Sequence, residues 1–248
     1  MQNARSSVAS RWVSSALAIL MAGGCSGRAM RVPRMPPAPH ADGSTTLFSE
    51  AFDLLDPAQW REVVVKGQTH YSIDARNAGT FLKAHATGGA SILLHPVSFD
   101  PNEQPWLSWR WQVERFVDGE NLYRKEGSDA SARVYVYFET RGLPWQKRNI
   151  DYVWSRALPV GTILNSAFSK ASKIVVVDSG TESPGAWRSV SRNIKEDYQR
   201  CFGKAASPRI IAIGLMADAD NTRSEALAYF DDVAISRSPP AQTRAETP

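Results

Sequence analysis

The chain has 248 residues, 43% hydrophobic and 22% charged, which is enough apolar material for one large β domain or two small ones. A core of that size needs neither metal nor disulfide to hold it. The formal charge is +4, yet from Leu47 to Ile235 there are 22 Lys and Arg against 23 Asp and Glu, so 22 − 23 = −1. The basic excess belongs to the termini, which argues against a nucleic-acid-binding body, because that function needs clustered surplus cations.

Residues 1–24 read as a secretory signal. Arg5 and Arg11 precede the short apolar run "WVSSALAILMAGG", which is too short for a comfortable membrane span. The run ends in "MAGGCSG", which resembles a bacterial lipobox with Cys25 as the lipidated residue. Gly24 fits that pattern, whereas Ala22 stands where Leu is usual. A plain cleaved signal or an uncleaved anchor remain the alternatives. Buried acyl chain contributes about 0.8 kcal/mol per CH₂, so several chains on one Cys hold a protein at a membrane without a spanning helix. Ser26, in place of Asp, resembles the signal for outer-membrane delivery, with a soluble periplasmic protein as the alternative address. Residues 25–46 are rich in Pro and Arg and read as an extended tether, and 237–248 as a second tail.

From residue 47 to 236 the dominant period is two. "WREVVVKG", "HYSID", "TFLKAHA" and "SILLHP" are the first strand candidates. "QPWLSWRWQVERF" then sets Leu107, Trp109, Trp111 and Val113 against Ser108, Arg110 and Gln112. "ARVYVYFE" sets Val134, Val136 and Phe138 against Arg133, Tyr135 and Tyr137, and "NIDYVWS" sets Ile150, Tyr152 and Trp154 against Asp151 and Val153. "SKIVVVDS", "PRIIAIGLMAD" and "LAYFDDVAIS" complete roughly ten strands. Helical signals are few. "DPAQW" has Asp56 as an N-cap and Pro57 at the first helical position. A short helix is predicted near 192–202, where Ile194, Tyr198 and Phe202 recur at helical spacing and Gly203 stops it. Cys201 on that helix is expected to be buried. The pattern predicts an all-β body, a β-sandwich of jelly-roll type with one or two short helices.

In such a sandwich one face of each strand meets solvent or a ligand. Arg110, Gln112, Arg133, Tyr135, Tyr137 and Trp154 are expected to share that face if their strands are neighbours. Aromatic rings among amide and guanidinium donors suit sugars, and an ordinary exposed sheet face is the alternative. Lys125, Glu126 and Asp129 cluster where the strand carrying Arg133 begins. They form either an ion-pair cluster that fixes a loop or the edge of a binding site. Asp218, Asp220 and Asn221 follow a buried strand, and their spacing superficially resembles a calcium loop. The EF-hand pattern fails, because no Gly stands at the sixth loop position and Tyr229 occupies the twelfth. Asp and Asn also satisfy turns with no ion present, so no cofactor is expected, with Ca²⁺ as the alternative.

The blocks "YRKEGSDASARVYVYF", "IDYVW", "PVGT", "KIVVVDSG" and "GLMADADNTRSEALAYFDDV" resemble, in this order, domain-of-unknown-function family number 3047. The resemblance implies a single β-rich extracytoplasmic domain with no assigned activity. It also implies an acid where Ser128 stands, and that departure weakens a paired-acid cation site there. Nucleophile elbows, zinc-protease helices, phosphate loops and dinucleotide fingerprints are missing from the sequence. The leading expectation is a non-catalytic binding module, tethered to a membrane and recognising a glycan or another envelope component. A carbohydrate-active hydrolase or lyase drawing on Glu126, Asp129, Glu139, Asp218 and Asp220 is one alternative, and a structural envelope lipoprotein another.

Overall fold

The structure, a computed structural model, describes residues 46–76, 79–140 and 148–240. The leader, Cys25, the tether up to residue 45 and the tail from 241 lie outside the described residues. Strands β1 (Thr46–Glu50), β2 (Arg61–Lys66), β3 (Thr69–Arg76), β4 (Gly79–Thr87) and β5 (Ala90–Phe99) come first. β6 (Trp106–Arg115), β7 (Ala132–Phe138), β8 (Asn149–Ser155), β9 (Ile163–Asn165) and β10 (Ser172–Ser179) follow. β11 (Arg188–Asn193) leads into helix α1 (Ile194–Phe202), then β12 (Ile210–Met216) and β13 (Glu225–Ser236).

Two sheets stack as a sandwich. The first has the order β11-β6-β13-β4-β3, with β1 pairing the end of β13 that β4 leaves open. The second has the order β2-β5-β12-β7-β8-β10-β9, antiparallel throughout except for the parallel β8–β10 pair. From β4 to β7 the chain changes sheet at every strand, the winding expected of a jelly roll.

Ten of these strands coincide with the alternating or apolar runs of the sequence. β1, β9 and β11 carry no such signal. β9 has only three residues, and β11, "RSVSRN", is a polar edge strand with Val190 as its one aliphatic side chain. At "DPAQW" the expected helix is a single turn, in which Asp56 Oδ1 accepts from Ala58 N at 2.8 Å and Asp56 O from Trp60 N at 2.8 Å.

The inward faces meet over aromatic rings. Trp109 and Trp111 of the first sheet lie against Tyr152 and Trp154 of the second, at centroid distances of 5.6 and 5.9 Å. Three of the four polar tips are led out of the core: Trp111 Nε1 donates to Asp178 Oδ2 at 3.0 Å, Trp154 Nε1 to Gly180 O at 2.9 Å, and Tyr152 OH to Asp197 Oδ2 at 2.9 Å, whereas Trp109 Nε1 has no partner among the described residues. Trp154 is therefore a core residue. The expectation that it shares an outer face with Arg133 is corrected, because alternation along β8 turns Ile150, Tyr152 and Trp154 inward together.

Helix α1 closes one end of the sandwich with Ile194, Tyr198 and Cys201 buried. Asn193 Oδ1 accepts from Glu196 N at 3.2 Å, and Gly203, at φ 66°, returns its N–H to Gln199 O at 2.8 Å. Burial pushes the Cys201 thiol up to about 12, with Asp197 adding to it, so it packs as a small apolar group. Replacing Trp111 by Ala is expected to destabilise the domain by about 3–5 kcal/mol, and Asn193 by Ala by about 1 kcal/mol, in denaturant titrations.

Candidate functional site

The outer face of the second sheet carries a cleft of about 720 Å³. Its floor is built by strand alternation. Val134, Val136 and Phe138 point into the core, so Arg133 and Tyr135 point out, and Asp151 does the same between Ile150 and Tyr152. Register then brings them together: Tyr135 pairs with Asp151 across β7–β8, and Arg133 with Met216 across β7–β12.

Arg133 is the centre of the floor. It is 3% exposed, and its Nη1 bonds Asp151 Oδ2 while Nη2 donates to Ser128 O at 2.5 Å. Its Nε lies 3.1 Å from Asp218 Oδ2 as an ion pair, without hydrogen-bond geometry. Asp151 and Asp218 are 2% and 4% exposed. Asp151 Oδ1 and Asp218 Oδ1 accept from no group among the described residues. Buried polar atoms are normally satisfied, so three unpartnered atoms among the residues of one pocket set this place apart.

The rim comes from loops. Residues 121–127 fold back so closely that a Cβ on Gly127 would stand 2.9 Å from Asn121 N and 2.9 Å from Gly119 O, both backbone atoms. This fold-back leaves Lys125 and Glu126 exposed at the loop's tip and brings Ser128 to the pocket wall. Lys125 Nζ sits 5.8 Å from the centre of the Phe168 ring, which lines the opposite wall. Val65 and Lys66, the last two residues of β2, form a third side, where Lys66 Nζ reaches Asp220 O at 3.2 Å.

Asp129 lies behind the pocket as a brace. Its carboxylate accepts from Asn221 Nδ2 at 2.8 Å, Thr222 N at 2.7 Å and Thr222 Oγ1 at 2.6 Å, which locks the loop that carries Asp218, Asp220 and Asn221. Burial opposes its ionisation, but these donors prevail and hold Asp129 below the usual carboxylate range. Burial drives Asp218 well above that range, with Arg133 opposing and Asp129 and Asp220 adding to the rise. Burial likewise pushes Asp151 up to about 6 in spite of Arg133.

Of the residues singled out in the sequence, Arg133, Tyr135, Asp218, Asp220 and Asn221 line this cleft, with Asp129 directly behind and Lys125 and Glu126 on the exposed rim loop. Arg110 does not join them. It lies with Gln112 on the outer face of the first sheet, on the other side of the sandwich, paired with Asp231 and 4.7 Å over Trp187. The strands of Arg110 and Arg133 belong to different sheets, a fact their similar alternation does not disclose. The sequence reading passed over Asp151, Phe168 and Met216. Asp151 did carry a signal: an acid between two large apolar residues in mid-strand has poor strand propensity and needs a partner.

Asp129, Asp218 and Asp220 each bring a carboxylate oxygen within 4.8 Å of the others. The Asn221 amide Nδ2 already spans two of them, at 2.8 Å from Asp129 Oδ1 and 2.9 Å from Asp220 Oδ1. That donor stands where a cation bridging those two acids would sit, so the trio as arranged serves the loop.

The raised Asp151 makes stability depend on pH. The folded chain holds this proton up to about pH 6, whereas an unfolded Asp releases it near pH 3.9. The group's stabilising contribution is therefore complete at low pH and is lost as pH rises through about 6. Wild type is expected to lose more stability than Asp151→Asn between pH 4 and 7, by chemical denaturation; parallel curves would contradict the assignment.

Among known folds, the chain is similar to the family 11 carbohydrate-binding module of the cellulase Lic26A-Cel5E of Clostridium thermocellum, at 10% identity and TM-score 0.43, covering 76% of this chain and 92% of that one. It is similar to the family 30 carbohydrate-binding module of the cellulase Cel9D-Cel44B of the same organism, at 12% identity and TM-score 0.42, covering 77% and 99%. The cellulose induced protein Cip1 gives 10% identity and TM-score 0.43, covering 77% and 97%. No functionally curated protein matches the chain. A family model matches residues 58–234, nearly the whole sandwich, and the chain belongs to the family described as protein of unknown function DUF3047.

Proposed function

We propose that this protein is an extracytoplasmic binding module whose cleft on the second sheet holds a polyhydroxylated ligand, a glycan or another cell-envelope component bearing such groups. One observation carries the reading: Arg133, Asp151 and Asp218 line the cleft, and the buried Arg133 Nε, Asp151 Oδ1 and Asp218 Oδ1 have no hydrogen-bond partner of ordinary geometry among the described residues. Two of these atoms are carboxylate oxygens and one is an N–H donor. A hydroxyl group answers both needs, because it donates through its proton and accepts through its lone pairs. Tyr135, Phe168, Met216 and Val65 supply apolar wall around them, the mixture of apolar lining and few convergent polar groups typical of small-molecule sites.

The split between Asp129 and Asp218, one lowered below and the other raised above the usual carboxylate range, is also the pattern of an acid–base pair. Hydrolysis would require both carboxyls to reach the substrate. Asp129 is 0% exposed and its oxygens are taken by Asn221 and Thr222, which favours binding over hydrolysis.

The proposed address rests on the leader and the lipobox-like "MAGGCSG", with Cys25 carrying lipid at the periplasmic side of a membrane. In fractionated cells Cys25→Ala is expected to move the protein from the membrane to the soluble fraction, and continued membrane retention would contradict the anchor. Against immobilised envelope polysaccharides, Phe168→Ala is expected to weaken binding about tenfold, with Arg110→Ala behaving like wild type. Wild type retained by no polysaccharide, or Phe168→Ala binding unchanged, would remove the reading.

A further inference from the structure

We propose that the cleft is built for a ligand bearing an ammonium group next to a hydroxyl, in class an amino sugar with a free amine, with the positive charge received by Asp151 and Asp218. This inference rests on the binding reading above and specifies the ligand's charge.

The argument begins with a charge count at the cleft. Asp151, Asp218 and Asp220 line it against Arg133 and Lys66, and Asp129 stands directly behind. Four carboxyls face two cations, an excess of two negative charges when all are ionised. Lys66 is spent on Asp220, at 3.3 Å, and its side chain is largely in solvent. Arg133 is shared between Asp151 and Asp218 and also gives one N–H to Ser128 O. Charge buried in excess of its partners is costly in a low-dielectric site, so a cation arriving there is stabilised more than a neutral group.

The oxygens with no partner belong to those same two acids. Asp151 Oδ1 and Asp218 Oδ1 are pure acceptors when ionised, and an ammonium offers them three donors from one atom. Arg133 Nε, between the two acids, needs an acceptor instead, which a hydroxyl on the neighbouring carbon supplies. Burial is the first cause of the rise at Asp218, and against Arg133 the neighbouring carboxylates of Asp129 and Asp220 add to it. A metal ion is the competing occupant, but it would gather at Asp129, Asp218 and Asp220, where the Asn221 amide already bridges two of the three.

The test is calorimetric titration of the full chain at near-neutral pH with glucosamine oligomers, their N-acetylated counterparts, neutral glucose oligomers of equal length, and calcium chloride. Glucosamine oligomers are expected to bind about tenfold or more tightly than the N-acetylated ones, and Asp151→Asn is expected to remove that preference. The wild-type comparison needs no variant, so a misfolded Asp151→Asn protein leaves it standing. Equal affinity for charged and neutral oligomers would overturn this inference and leave the binding reading in place. Binding of no oligomer would overturn both. Calcium binding that Asp218→Asn abolishes would assign the carboxylates to a metal and overturn the ammonium site alone.

Discussion

Arg133 places a permanent charge on the face of a sheet with only 3% of its surface open to water, and much of the architecture around it answers that one demand. A guanidinium does not give up its proton, so neutralisation must come from neighbouring anions and acceptors. Asp151 from the adjacent strand, Asp218 from the end of β12 and the carbonyl of Ser128 supply them. These partners come from three places in the chain. The ion cluster therefore fixes the relation of β7 to β8 and of both entry loops to the sheet. Asp129 extends the same constraint by holding the loop of Asp218 through Asn221 and Thr222.

The two faces of the second sheet divide the work. Tyr152 and Trp154 face Trp109 and Trp111 across the sandwich and supply the aromatic bulk of its middle. One residue away along the same strand, Asp151 faces the cleft. Rigid packing on the inner side limits how far the outer side chains can shift to satisfy one another, because close-packed interiors do not deform continuously. Unsatisfied atoms on the floor are the consequence.

Both the binding reading and the ammonium refinement follow from the same imbalance. Acceptors and negative charge exceed donors and positive charge in the cleft, and the groups in excess are buried. A surface ion network with the same residues would be screened by water and carry little specificity. Here the walls of Phe168, Tyr135 and Met216 restrict water's share of that screening.

By itself the sequence determined the sandwich, which rings of each long strand share a face, the capped helix before Gly203, and the candidacy of Arg133, Tyr135, Asp218, Asp220 and Asn221. Those features are local: a side-chain period of two, capping residues beside an apolar stripe, or a polar cluster after a buried run. Only tertiary structure decided that Arg110 belongs to the opposite sheet, that Trp154 points inward, and that Asp151 closes on Arg133. Alternation says which residues share a face of one strand, whereas membership in a sheet is set by pairing between segments far apart in the chain. The three-residue β9 and the polar β11 were illegible for a related reason, since pairing with neighbouring strands defines them and neither carries a run long enough to show a period. The cleft's charge imbalance exists only after four segments converge, and no window of sequence contains all of them.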